Sequence, residues 1–354
     1  MQGQQYAIII PTFNESESLR AVLSLTSKAP VFVVDDGSTD GTQEIVAMHS
    51  NAKLIERGRK MGLVSAYLAG ISEAMKYDYD YFVVMDGDGQ HDPLLAEEMV
   101  KTAIKTGADL VIGSRYVDGG DSSEGFNFFR KTVSRVANYL FRLSFDSGVR
   151  DATSGYRCYS RRAAQYLLEN TPRNGSYAGQ VEIVEELHRA GMKIVEYGIK
   201  FRRRSSGKSK LTAGDILGYF YFLLINGNLW KYLLVGLSGI AVNELSLYLL
   251  AGFVGPIIAD ILAIEISIIT NFVFNEYWTF KNRKLSRNTR SVLRRFYMHN
   301  AASFFGLTIN FAVFVLLSFA GMNILVANMV GIFVAFAVRY LLSSQVVWIN
   351  ERDN

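Results

Sequence analysis

The residues best equipped for chemistry lie in three short polar runs, the second and third acidic and glycine-bearing. They are Pro11-Thr12-Phe13-Asn14-Glu15, Asp35-Asp36-Gly37-Ser38-Thr39-Asp40-Gly41-Thr42 and Asp86-Gly87-Asp88-Gly89-Gln90-His91-Asp92-Pro93. One Asp-Gly pair signals only a turn. Clustered carboxylates repel one another unless a cation or a hydrogen-bonding ligand lies between them. Asp86 and Asp88, one residue apart, can both reach one point. Hard divalent cations take oxygen ligands and bridge to phosphates. Asp88, with Asp86 or Gln90, is therefore a candidate site for Mg2+ or Mn2+. A cationic group, Arg204–Gly207–Lys210, has the spacing Arg-x-x-Gly-x-x-Lys. Guanidinium suits phosphate geometry, although a solvated basic loop or a contact with anionic lipid fits these residues equally well. No Ser–His–Asp pattern is present, and His91 reads as a loop residue rather than a catalyst.

Each of the three runs follows a short apolar, β-rich segment, at residues 6–10, 31–34 and 81–85. Residues 54–55 and 110–113 add two further strand signals, and helical patterns cover 15–25, 64–74 and 94–105. Strand–helix alternation predicts a parallel sheet with helices on both faces. Ligands of such sheets bind beyond the carboxyl ends of the strands, where these runs fall. Residues 6–10 lead into Pro11 without a small-residue cleavage site and read as a buried strand, not a signal peptide. Residues 126–145, FNFFRKTVSRVANYLFRLSF, place apolar side chains at helical spacing with Arg130, Lys131, Arg135 and Arg142 among them. They predict an amphipathic helix, suited to a core or to a membrane surface.

The second half of the chain differs in kind. Charged residues thin out beyond Lys231, and residues 230–253, 257–280, 298–319 and 324–349 are each long enough to span a bilayer. Gly255-Pro256 and Gly321-Met322-Asn323 make two hairpins of them. The link at 281–295 carries Lys281, Arg283, Lys284, Arg287, Arg290, Arg294 and Arg295 and no acid. Positive charge marks the cytoplasmic side, and an even number of spans puts the N-terminal half there too. Buried helices of a soluble core would leave too little polar surface. Asn243, Glu244, Glu265, Asn271, Asn275, Asn310, Asn328 and Arg339 lie inside the spans. They serve helix packing or a lipid-headgroup path. Residues 211–228 are apolar but too short to span, which suits an element lying on the membrane surface. A net charge of +4 gives no reason to expect nucleic acid as a partner, and the single cysteine, Cys158, allows no intrachain disulfide.

The motifs PTFNE at 11–15, DDGSTDGT at 35–42, DGDGQHDP at 86–93, GSRY at 113–116, RDATSGYR at 150–157, GQVE at 179–182 and RRRSSGKSKL at 202–211 occur in order. As a set they resemble the polyprenol-phosphate (dolichol-phosphate) mannose synthases, family-two glycosyltransferases. NFVFNEYWTF at 271–280 and the four-span pattern resemble the GtrA-like domain. The resemblance implies an α/β GT-A (Rossmann-like) nucleotide-sugar domain over residues 1–210, an interfacial linker at 211–228 and an all-α four-helix transmembrane domain at 229–354. It assigns Pro11, Phe13, Glu15, Val34 and Asp36 to base and ribose, with Phe13 standing where many relatives carry Tyr. It gives Asp86, Gly87, Asp88 and Gln90 to the sugar diphosphate and its Mg2+ or Mn2+. Arg204 and Lys210 would close over the diphosphate. Arg115, Arg130, Ser134 and Arg135 would receive the acceptor phosphate, with Asp88, Arg115 and Arg130 as the catalytic set. Asp151 and Glu182 would hold arginine or backbone groups.

The implied reaction is inverting transfer of mannose from GDP-mannose to a polyprenyl (dolichyl) phosphate in membrane lipid, at the cytosolic face of the plasma membrane. Relatives of the same fold use UDP-glucose or a UDP-N-acetylhexosamine, so the donor stays open. A lipid-linked-sugar flippase role for the membrane half stays open as well, motivated by Glu265 and Arg339. The Gln-x-x-Arg-Trp pattern of polymerising synthases is absent.

Overall fold

The computed structural model describes residues 6–26, 29–126, 128–145, 147–174, 177–204, 213–281, 283 and 285–349. The chain forms two compact units. One comprises Met1–Arg142 with Ser147–Phe222, the other Leu143–Asp146 with Leu223–Asn354.

Among the described residues the first unit is built on seven strands: β1 Tyr6–Thr12, β2 Val31–Asp35, β3 Ala52–Glu56, β4 Tyr81–Val84, β5 Leu110–Ser114, β6 Arg157–Ser160 and β7 Ile194–Gly198. Their order is β3-β2-β1-β4-β6-β5-β7. The central strands are near-continuous apolar runs because both faces are covered. Helices α1 (Ser16–Leu25), α2 (Thr42–Ala47), α3 (Leu63–Ala74) and α4 (Ala96–Thr106) follow the first strands. Leu19 and Leu23 of α1 and Met99 and Ala103 of α4 share one core with Ile8, Val33, Val83 and Val111. On α3, a Cβ at Gly70 would stand 2.4 Å from the Ile9 side chain and 3.0 Å from that of Val34, so only glycine lets this helix lie so close to β1 and β2.

The sheet is mixed, which corrects the expectation of an all-parallel one. β6 runs antiparallel to both β4 and β5. After β5 the chain forms α5 (Phe128–Phe145) and then lies against the end of that strand, where the Ser154 hydroxyl donates to the Gly113 carbonyl at 2.6 Å. The chain therefore enters β6 from the carboxyl end and must run the other way. Helices α6 (Arg161–Glu169) and α7 (Tyr177–Arg189) then lead to β7, which is parallel to β5. Residues 213–226 of the expected interfacial linker lie in helix α8 (Ala213–Asn226), whose Tyr219 hydroxyl donates to the Ala137 carbonyl of α5 at 2.7 Å.

The second unit holds α9 (Asn228–Val254), α10 (Pro256–Phe274), α11 (Thr289–Phe319) and α12 (Ile324–Leu342). Each is long and apolar enough to cross a membrane. Both α10 and α12 end in a π-helical turn, at Asn275–Thr279 and Ser343–Val347. The basic link is shorter than its charge pattern suggests: Asn288 caps α11 by accepting from the Ser291 amide at 2.8 Å, so Arg290, Arg294 and Arg295 are helical. The two hairpins repeat one another. Buried Tyr232, Val235 and Gly239 of α9 have the spacing of buried His299, Ala302 and Gly306 of α11. Buried Ala259, Ala263 and Phe272 of α10 match Ala327, Gly331 and Tyr340 of α12 in the same way. Small residues at these contacts let membrane helices approach closely, while large apolar ones such as Phe253, Phe319 and Leu325 face outward.

Candidate active site

The first two acidic loops are tied together by their own polar groups. Asn14 sits in the left-handed region at φ 52°, a conformation Asn tolerates. Its amide oxygen accepts from the Thr39 N–H at 2.8 Å, and its own N–H donates to the Ser38 hydroxyl at 2.8 Å. The Ser16 N–H donates to Asp40 at 3.0 Å. Pro11 of β1 pairs in register with Val34 of β2, so both are sheet residues at the floor of this loop cluster. Asp36 is almost fully buried and accepts from Arg57 Nε at 2.7 Å and from the Met61 N–H at 3.3 Å. It therefore anchors the 57–62 loop as well as facing the first run. The Lys60 ammonium lies 5.7 Å from the Phe13 ring centre.

The third run forms the centre of the site. A Cβ at Gly87 would stand 3.1 Å from a Glu15 carboxylate oxygen and 3.2 Å from Ile10, so glycine between the two aspartates lets loops one and three close up. Asp88 is buried; its Oδ1 accepts from the Gln90 N–H at 3.0 Å and its Oδ2 from Arg204 Nη2 at 2.6 Å. Gln90 donates its amide to the Arg202 carbonyl at 3.1 Å, and Arg202 pairs with Asp92 at 2.5 Å. Residues 202–204 thus lie over the acidic loop. Asp86 keeps about a third of its side chain open, at 31%. Desolvation and the neighbouring Asp88 charge push its carboxyl up to about 7, with Arg204 opposing them. Behind it stand Tyr67, 3.5 Å away, and Gln180, which donates to the Tyr67 hydroxyl at 2.9 Å.

His91 is buried and stacked on Tyr156 at 4.9 Å, with Nδ1 accepting the Asp86 N–H at 3.2 Å. Burial pushes its pKa down to about 4, so the ring is neutral near pH 7 and serves the loop, not proton transfer.

The donor set can be tested against a divalent cation. Among the described residues no group of three or more His, Cys, Asp or Glu is arranged to hold a metal. That disfavours an all-protein cage of the zinc type. Two carboxylates and an amide oxygen do fit Mg2+ or Mn2+, which keep waters and take further oxygens from a bound phosphate. The Asp86 carboxyl, raised by burial and by the Asp88 charge beside it, is one whose ionised form such an ion would favour.

Arg115 lies in a second cluster. It is buried, and Asp151 accepts from its Nε at 2.7 Å, its Nη2 at 2.6 Å and its backbone N–H at 2.9 Å. Its charge still lowers the Asp86 carboxyl, so the two clusters sense each other. Ser134 accepts from the Tyr116 hydroxyl at 2.8 Å, Arg135 lies 6.0 Å from the Tyr116 ring centre, and Arg130 lies 5.8 Å from that of Phe126. Arg130, Ser134 and Arg135 therefore stand together on α5 near the Arg115 loop. Asp151 holds an arginine, and Glu182 accepts from the Arg173 and Asn174 N–H groups at 3.0 and 2.9 Å. Lys210 and Gly207 lie outside the described residues. Tyr67, Asn138, Thr153 and Gln180 escaped the sequence reading, since each is polar but falls in or near a helical or motif pattern with no signal of its own.

Residues 7–168 match the glycosyl transferase family 2 and residues 231–348 the GtrA/DPMS transmembrane domain. A dolichol-phosphate mannosyltransferase of Pyrococcus furiosus is 35% identical over an alignment of 362 residues, which covers 97% of this chain and 99% of that protein. The chain belongs to the polyprenol-phosphate mannose synthase family. It is a membrane-embedded glycosyltransferase: a mixed α/β GT-A-like domain joined to four apolar helices. A polyprenol monophosphomannose synthase of Mycolicibacterium smegmatis is 34% identical over 224 residues, 60% of this chain and 83% of that one. The solved structure of S. aureus TarS 1-349 aligns over 94% of this chain and 90% of that one at 14% identity, with a TM-score of only 0.40.

Proposed function

We propose that this enzyme transfers mannose from GDP-mannose to a polyprenyl (dolichyl) monophosphate at the cytosolic face of the plasma membrane, with inversion at the anomeric carbon. The observation that carries the reading is the Asp86–Asp88 pair at the end of β4 with Arg204 against it. This is a donor set for a cation and for a leaving diphosphate. The names of the two relatives support mannose and a polyprenyl phosphate. The basic residues at 281–295 support the cytosolic orientation.

Asp86, Asp88 and Gln90 hold Mg2+ or Mn2+, which when bound neutralises charge on the leaving diphosphate. Arg204 and Lys210 share that task from the 202–211 segment. Pro11, Phe13, Glu15, Val34, Asp36 and Gly87 shape the nucleotide-sugar side. The acceptor phosphate oxygen is anionic at neutral pH, so attack needs no strong general base. A neutral, buried His91 agrees with this. Arg115, Arg130, Ser134 and Arg135 orient that phosphate, and alignment supplies most of the rate.

The test is a donor and acceptor panel on reconstituted protein, with radiolabel followed into lipid. GDP-mannose with a polyprenyl phosphate is expected to give labelled lipid, and EDTA to abolish it. Label passing from UDP-glucose or UDP-N-acetylglucosamine but not from GDP-mannose would overturn the donor. Full activity in EDTA would overturn the cation.

A further inference from the structure

Resting on that reading of the acceptor side, we infer that Asn138 is a positioning residue for transfer: it fixes the register of α5 against the Arg115 loop. The helix carries Arg130, Ser134 and Arg135, and nearby Ala137 and Phe141 are its buried apolar anchors. Apolar burial holds a helix against a surface but specifies its position along that surface weakly, because dispersion and hydrophobic contacts are not directional.

The polar contacts supply the direction. Asn138 is 2% exposed. Its Nδ2 donates to Thr153 Oγ1 at 3.0 Å and to Asp151 Oδ1 at 3.3 Å, and its Oδ1 accepts from the Thr153 N–H at 3.3 Å. Asp151 and Thr153 are the same two groups that hold Arg115, the latter through Nη2 to Oγ1 at 2.8 Å. One turn away on α5, Ser134 takes the Tyr116 hydroxyl. Helix α5 is thus pinned at two points one turn apart, to Tyr116 directly through Ser134 and to Arg115 by way of Asp151 and Thr153. A slide or roll of the helix would strand buried polar groups at Asn138 and break the half-buried Tyr116–Ser134 bond, which is costly. A core position with no such duty would hold leucine at no loss. Buried asparagine is the choice that specifies register rather than bulk stability.

Catalysis by alignment makes the register matter, because misplacing a reacting group by about 1 Å can cost on the order of 100-fold. Asn138 itself touches neither substrate; it sets where the acceptor-binding side chains stand relative to Arg115.

The test uses the full-length protein and the near-isosteric Asn138→Leu, with Tyr116→Phe and the double variant. Three quantities are read: the acceptor KM, the dissociation constant of GDP-mannose, and amide exchange across residues 128–142. Asn138→Leu is expected to raise the acceptor KM about tenfold, leave donor affinity unchanged, and speed exchange in α5 about fivefold. The two single effects on KM are expected to be non-additive, because both pins hold one helix. An unchanged acceptor KM, or donor affinity falling in step with it, overturns the inference in favour of packing alone. Unchanged exchange in α5 overturns it whatever the acceptor is. Should wild-type protein transfer nothing to polyprenyl phosphate, the proposed acceptor fails, while exchange and donor affinity still decide the role of Asn138.

Discussion

The two units each bury carboxylate in contact with arginine, and they treat it in opposite ways. In the membrane unit Glu276, at 0% exposure, accepts from Arg287 at 2.7 Å, from Arg295 at 2.7 and 3.1 Å, and from the Trp348 indole at 2.7 Å. Two cations and a neutral donor surround one anion, and Arg283 adds bonds to the Ser344 and Trp348 carbonyls nearby. In the soluble unit two anions, Asp86 and Asp88, stand side by side, and among the described residues Arg204 is the arginine paired with Asp88. The first cluster is complete and joins the ends of α10, α11 and α12. The second sets two carboxylates side by side and leaves one of them, Asp86, partly open and with a raised pKa, which is the mark of a site built for a ligand. Neither pairing is visible in sequence: Glu276 precedes a basic run, while Asp88 lies 116 residues from Arg204. Only charge balance in three dimensions separates a fastener from an active site.

Substitutions test this contrast. Glu276→Ala leaves Arg295 buried without its counter-charge, and breaking a buried pair costs about 3–5 kcal/mol. A sharply lower unfolding midpoint with unchanged kcat per folded molecule is expected; an intact midpoint would show that Glu276 fastens nothing. Asp88→Ala is expected to do the reverse, cutting kcat by about 100- to 1,000-fold while the midpoint stays put. A kcat within threefold of wild type would remove Asp88 from the machinery. Gly87→Ala forces a methyl toward Glu15 and Ile10, an overpacking of about 1–3 kcal/mol that is expected to appear chiefly as weaker donor binding in calorimetry. Normal binding there would mean that loops one and three need not close.

The smallest effect concerns His91. Its folded pKa of about 4 lies below the ordinary 6.5. Its contribution to stability is therefore whole above pH 6.5, falls by at most about 1.4 kcal/mol per unit as the pH drops, and levels off below 4. His91→Phe is expected to flatten that slope in unfolding midpoints measured from pH 4 to 7. Equal slopes in both proteins would break the assignment.

Much of this was legible in the sequence because period and turn chemistry are local. Residues 6–10, 31–34 and 81–85 announce strands, and the carboxylates follow them directly. The four spans are legible from length and hydropathy alone. β6 was not: Arg157–Ser160 is four residues long and begins with a buried arginine, the last residue of the 150–157 motif. Its direction follows from where the chain waits before entering the sheet, which no local pattern records. The same limit hid Glu276, which the basic link seemed to lack as a partner because it lies in the π turn before it. Asn138 was hidden too, since one asparagine in an amphipathic pattern says nothing until Asp151 and Thr153 arrive from elsewhere in the chain.

In the proposed reaction Asp86 and Asp88 hold a divalent cation beside a nucleoside diphosphate. Titration of Mn2+ into the purified protein with GDP present, followed by electron paramagnetic resonance, tests it most directly. One tightly bound Mn2+ per chain is expected in wild type, lost in Asp88→Ala and retained in Glu276→Gln. Mn2+ bound equally well by Asp88→Ala, or not bound by wild type at all, would contradict it.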